Sequence, residues 1–128
     1  MKVAVIGCGT IANAAHIPSY MNNPEAEIKY FCDILPEKAK AAVEKYGCGI
    51  AIEDYHDIIA DPEVEAVSVC TPNKMHSIIS VDCLRGGKHV LCEKPMAMNA
   101  AEAQEMLDTA KRCGKKLGID FSYRFNPQ

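Results

Sequence analysis

Residues 3–12 read Val3-Ala4-Val5-Ile6-Gly7-Cys8-Gly9-Thr10-Ile11-Ala12, and this run decides the fold. Four apolar residues in succession, most of them β-branched, describe a strand covered on both faces. The six that follow spell G-x-G-x-x-A, the alanine-ended form of the dinucleotide fingerprint. Gly7 permits the tight turn out of the strand. Gly9 lets a pyrophosphate approach bare backbone, and Ala12 is small enough for a helix to pack on the strand. The helix that Thr10 opens turns its free N–H groups and positive dipole end toward the phosphates. Cys8, Thr10 and Ile11 fill the variable positions of the same cofactor-binding loop. The pattern alone is a weak signal. An apolar strand before it and an acid at the right distance after it make it specific.

That acid is Asp33, twenty-one residues beyond Ala12, at the end of a second strand over Glu27–Cys32. A carboxylate there accepts hydrogen bonds from the adenosine ribose hydroxyls and repels a 2′-phosphate. Ile34 and Leu35 follow where an NADP enzyme usually offers Arg or Ser. The sequence therefore favours NAD over NADP. An Asp ahead of Pro36-Glu37 also suits a helix N-cap.

Outward from these strands the chain alternates β and α. Thr10 caps a helix to about Asn22, with Pro18 inside it as a kink or an early end. Asn22-Asn23-Pro24 is a loop. Pro36–Tyr46 is a helix with Ala39, Ala42, Val43 and Tyr46 on one stripe, stopped by Gly47. A short strand over Gly49–Ile52, a short helix over Asp54–Ala60 and a strand over Ala66–Cys70 come next. Thr71-Pro72-Asn73 turns the chain, and Asn73 caps a helix to Leu84 that Gly86 and Gly87 stop. A fifth strand covers Lys88–Cys92, and Glu93-Lys94-Pro95 leaves its end. Asn99, with Glu102 three residues on, opens a helix to Lys111 or Arg112. A sixth strand covers Lys116–Ile119.

Strands alternating with helices, joined by right-handed crossovers, make an α/β fold of the Rossmann type. The expected architecture is a doubly wound parallel sheet of order 3-2-1-4-5-6 with helices on both faces. Ligands of such sheets bind beyond the strand carboxyl ends where the order reverses, between strands 1 and 4. The fingerprint, Asp33, Thr71-Pro72-Asn73 and Glu93-Lys94 all fall at strand carboxyl ends, independently of one another.

Composition narrows the function classes. The chain has 128 residues, 48% of them hydrophobic, and a net charge of −3. That suffices for one domain with a full core and argues against nucleic acid or a membrane surface as partner. No apolar run approaches the roughly 20 residues of a membrane span. The seven cysteines form no C-x-x-C pair. They read as small apolar residues in a reducing cytoplasm, with no metal site.

Three stretches together, Gly7–Ala12, Thr71-Pro-Asn-Lys-Met-His76 and Gly87-Lys-His-Val-Leu-Cys-Glu-Lys-Pro95, resemble one family. It is the group of oxidoreductases named for glucose–fructose oxidoreductase, inositol dehydrogenase and the rhizopine-catabolism protein MocA, and the likeness is to their N-terminal NAD-binding domain. The resemblance covers essentially the whole chain, and Glu-Lys-Pro is its most specific mark. It implies hydride transfer between a nicotinamide cofactor and a sugar, cyclitol or related polyol. It implies Lys94 as the catalytic lysine beside the nicotinamide, where an ammonium holds the reacting oxygen and exchanges its proton. By the same resemblance Glu93 positions the nicotinamide end or Lys94 itself. Thr71, Pro72 and Asn73 line the cofactor, and His76 stands near the nicotinamide. As plain structure the same residues would serve as turn, helix cap and solvated charge.

Family members continue into a larger second domain that supplies further catalytic groups. The expected division is therefore a dinucleotide-binding domain over residues 1–120, with 121–128 as the start of the crossover to a substrate domain. The chain then reads as a piece of a longer enzyme, inactive alone and self-associating through Phe121, Tyr123 and Phe125 as a homo-oligomer. The competing reading is a stand-alone NAD-binding sensor or regulatory module without catalysis, for which a lysine at the nicotinamide has no use. A Rossmann methyltransferase is a third reading, and the Glu-Lys-Pro motif speaks against it.

Overall fold

Val3, Ala4 and Val5 have no solvent exposure and Ile6 almost none, as an apolar run covered on both faces requires. They belong to β1 (Lys2–Ile6), the centre of the sheet. The computed structural model describes residues 1–9, 17–71, 73–93 and 100–120. Around β1 the chain lays β2 (Glu27–Cys32), β3 (Ile50–Ile52), β4 (Val64–Val69), β5 (His89–Glu93) and β6 (Leu117–Asp120). Helices α1 (Ile17–Met21), α2 (Pro36–Tyr46), α3 (His56–Ile59), α4 (Asn73–Arg85) and α5 (Ala100–Cys113) connect them. The strand order is β3-β2-β1-β4-β5-β6, and every pairing is parallel. This is the doubly wound order expected from the sequence.

The two-residue period of β1 sorts the core into two layers. Val3 and Val5 pack with Ile17, Ile28, Phe31, Ala39 and Ala42 under α1 and α2. Ala4 and Ile6 pack with Ile58, Leu84 and Met106 under α3, α4 and α5. The reversal of strand order between β1 and β4 puts the first pair of helices on one face and the rest on the other.

Several boundaries differ from the sequence expectation, each for a local reason. Strand β4 starts at Val64, which is buried and pairs with Lys2 of β1. The exposed Glu65 between Val64 and Ala66 hides that start in the sequence. Strands β5 and β6 each begin and end one residue later than expected. Helix α3 is shorter than expected, entered by a turn in which the His56 N–H donates to Asp54 Oδ1. Pro18 lies inside α1, which continues through it to Met21. The reading of Asp33 as a helix N-cap is overturned: the N-cap of α2 is Leu35, with no side-chain cap. Gly47 ends α2 with φ +70°, as expected. The caps at Thr10 and Asn99, and the segment 121–128 with its three aromatics, lie outside the described residues.

A charged cluster fastens the loop before β4 to the sheet. Lys29 pairs with Asp61 at 2.5 Å and with Glu63 at 2.8 Å, and Lys2 pairs with Glu63 at 2.9 Å. The Tyr30 hydroxyl donates to Asp61 Oδ2 at 2.7 Å. The Lys29 hydrogen bond, then that of Tyr30, hold the Asp61 carboxyl well below the usual carboxylate range. Among the described residues no helix is long and apolar enough to cross a membrane.

Candidate functional site

Gly7 leaves β1 with φ +92°, a conformation that glycine adopts without strain. Space demands glycine as well. A Cβ there would stand 2.8 Å from the carbonyl carbon and oxygen of Cys70, and 3.0 Å from the Thr71 nitrogen. The Gly7 N–H donates to the Cys32 carbonyl at 2.7 Å, and the Cys70 N–H donates to the Ile6 carbonyl at 2.8 Å. The carboxyl ends of β2, β1 and β4 are thereby drawn to one point, the place where the strand order reverses.

The acid at the end of β2 is built into the fingerprint loop. The Cys8 N–H donates to Asp33 Oδ2 at 2.9 Å, and the Leu35 N–H donates to Asp33 Oδ1 at 2.9 Å. Each carboxylate oxygen has two lone pairs. After these two bonds Asp33, which is only half-buried, keeps one acceptor position on each oxygen among the described residues. That pair suits two vicinal hydroxyls of a ribose.

Gly9 and Thr71 suit the same ligand. A Cβ added at Gly9 would meet nothing within 4 Å among the described residues, so none of these fills the place that a phosphate needs beside this glycine. The Thr71 hydroxyl is buried and has no hydrogen-bond partner among the described residues. A buried orphan hydroxyl at a strand end is a group that a bound ligand satisfies.

Burial governs the two thiols nearest Asp33. Cys8 is buried, and its Sγ donates to the Cys32 carbonyl at 3.5 Å. Burial first, then the charge of Asp33, pushes the Cys8 thiol up to about 12. Burial, with Cys8 and Asp33 adding, does the same to Cys32, also to about 12. Lys38, near the start of α2, acts against this on Cys8 by its charge. The sequence reading missed that cation. Its only signal is a lysine five residues after Asp33.

The structure thus brings together Gly7, Cys8, Gly9, Asp33 and Thr71. Asn73 opens α4, His76 lies in its first turn, and Glu93 ends β5, in register with Asp120. Thr10, Ile11, Ala12, Pro72 and Lys94 lie outside the described residues.

Comparison with known proteins agrees with this geometry. The profile of the family described as "Oxidoreductase family, NAD-binding Rossmann fold", the Gfo/Idh/MocA group, matches residues 1–121. The D-glucoside 3-dehydrogenase of Escherichia coli (strain K12) is 38% identical over 125 residues, spanning 98% of this chain and 36% of that protein. Among solved structures, the 3-ketoreductase KijD10 from Actinomadura kijaniata with NADP and TDP-benzene superposes with a TM-score of 0.92. It is 31% identical, and the match covers 100% of this chain and 39% of that one. The WlbA dehydrogenase from Chromobacterium violaceum with NADH and UDP-GlcNAcA gives a TM-score of 0.89 at 33% identity, covering 98% and 36%. The chain therefore spans a little over a third of the length of these relatives. A matching family profile over almost the whole chain, on a fold with the fingerprint, the acid and the strand reversal in register, shows that this chain belongs to the Gfo/Idh/MocA oxidoreductase family through its NAD-binding Rossmann domain.

Proposed function

We propose that the chain binds NAD, in preference to NADP, and serves hydride transfer at a hydroxyl carbon of a sugar or related polyol. The observation that carries the cofactor reading is the pair of backbone bonds that hold Asp33 beside the fingerprint loop. A fixed carboxylate with a free acceptor position on each oxygen recognises ribose hydroxyls and disfavours a 2′-phosphate by like charge. Both NADH and NADP occur among the similar structures, so the preference rests on Asp33 itself. The substrate class is supported by a relative named for D-glucosides and a similar structure with UDP-GlcNAcA bound.

Gly7, Cys8 and Gly9, with Thr10, Ile11 and Ala12 beyond them, would hold the pyrophosphate. Thr71, Pro72 and Asn73 would line the nicotinamide ribose, with His76 and Glu93 at the nicotinamide end. When bound, the nicotinamide supplies the hydride acceptor. Lys94, which directly follows β5, would hold the reacting oxygen and move its proton. The domain boundary at residue 120, a cytoplasmic setting suited to seven free thiols and a homo-oligomer belong to the same proposal.

The variant Lys94→Ala tests the chemistry. Placed in the longer enzyme that the family resemblance implies, it should bind NADH as the parent enzyme does while polyol oxidation, followed as NADH formed, falls by about a hundredfold or more, the usual cost of one preorganised group. Undiminished turnover would remove Lys94 from the mechanism.

A further inference from the structure

The amino end of the sheet, opposite the candidate cofactor edge, carries a cavity of about 340 Å³. Val64, Glu65, Gly87, Lys88, His89 and Lys115 line it. Lys88 is 3% exposed, and its Nζ donates to the Asp61 carbonyl oxygen at 2.6 Å. Among the described residues that carbonyl is the one hydrogen-bond acceptor its ammonium meets. An ammonium has three donors, so two N–H groups of a nearly fully buried cation have no acceptor among the described residues. Buried donors left so are costly unless something fills the gap. Burial lowers the Lys88 amine from its ordinary range; Asp61 and Cys83 oppose the shift, and the charge of Lys115 adds the smallest contribution in the direction of burial.

The surroundings favour an anion. Lys115 and His89 line the same cavity. The Lys116 N–H donates to His89 Nδ1 at 3.0 Å, which leaves the ring proton on Nε2 as a further donor. Glu65 is the only carboxylate in the lining, and among the described residues it pairs with neither lysine. The backbone N–H groups of Gly86, Gly87 and Lys88 are already committed to Asp82, Leu84 and Cys83. A ligand here would be held by side chains.

We propose that this cavity binds a small oxyanion of the phosphate class, held by Lys88, His89 and Lys115. The site is separate from the dinucleotide edge and does not depend on the cofactor reading.

The test is a ¹H–¹⁵N NMR titration of the full chain with inorganic phosphate, ionic strength held constant with chloride. Saturable shifts should appear at the amides of Gly87, Lys88, His89 and Lys115. Lys115→Gln, with an unchanged melting temperature, should weaken binding by about tenfold, the cost of one charge-assisted contact. Lys88→Met, if it folds, should abolish it. A parallel titration with glycerol 3-phosphate separates the sources: tighter binding than phosphate identifies an ester, equal binding the free anion. Unsaturable shifts, shifts confined to Gly7, Cys8 and Gly9, or binding unaffected by Lys115→Gln would each overturn the proposal.

Discussion

The backbone N–H of Cys8 donates to Asp33 Oδ2 at 2.9 Å. This single bond joins the two parts of the fingerprint, the glycine loop after β1 and the acid after β2. It forms because Ile6 and Cys32 are partners in the parallel register of β1 and β2, so the residues that follow them emerge side by side. The acid is thus fixed before any ligand arrives, and its remaining lone pairs need no rearrangement to accept hydroxyls.

The two glycines of the loop should respond differently to a side chain. Gly9→Val brings its side chain against none of the described residues at the Cβ position, so the melting temperature should stay near that of the parent protein while NADH binding weakens by more than about tenfold. Gly7→Ala places a Cβ 2.8 Å from the Cys70 backbone at φ +92°. Strain and overpacking there should cost about 2 kcal/mol or more in a urea unfolding titration. Normal NADH binding by Gly9→Val would show that the loop does not cradle phosphates.

Three thiols should resist modification in the folded protein. Cys8, Cys32 and Cys83 are buried and have thiols pushed up to about 12, chiefly by that burial. At pH 8 they carry almost no thiolate, the reactive form. Mass spectrometry after a timed exposure to a disulfide reagent should find them unlabelled until denaturant is added. Labelling of Cys8 in the native protein as fast as a small free thiol would contradict its burial.

Acid should weaken the hold on the loop before β4. The folded-state pKa of Asp61 is depressed, first by the hydrogen bond from Lys29 and then by that from Tyr30. Its contribution to stability is therefore fully present above the unfolded value, about 4, and fades as pH falls below it toward the folded value. At pH 7 the variant Asp61→Asn should melt below the parent protein, and the gap should narrow when both are melted near pH 3. A gap that stays constant or widens on acidification would reverse the assigned sign.

Much of the fold was legible because its signals are local. The apolar run of β1, the fingerprint and the helix stops at Gly47 and Gly87 need only neighbouring residues, and with the βα alternation they gave the sheet order. The missed features are tertiary. Val64 reads as loop until β1 pairs with it. Lys88 reads only as the first residue of the fifth strand; its burial and its bond to the Asp61 carbonyl come from the loop before β4. The partnerless hydroxyl of Thr71 and the charge of Lys38 near Cys8 depend on how strand and helix ends meet. The spacing from the fingerprint puts Asp33 at the end of β2, but its two backbone partners follow from the register of β1 and β2, which the sequence does not display.

The most direct measurement of the central claim is a paired fluorescence titration of the chain with NADH and NADPH at fixed ionic strength, repeated on Asp33→Ser. A carboxylate held against the ribose should make NADH bind at least about tenfold tighter than NADPH, because like charges set side by side are strongly disfavoured. Removing that carboxylate should narrow the difference, with Lys38 left to attract the 2′-phosphate. Equal or tighter binding of NADPH by the parent protein, or no binding of either nucleotide, would contradict the account.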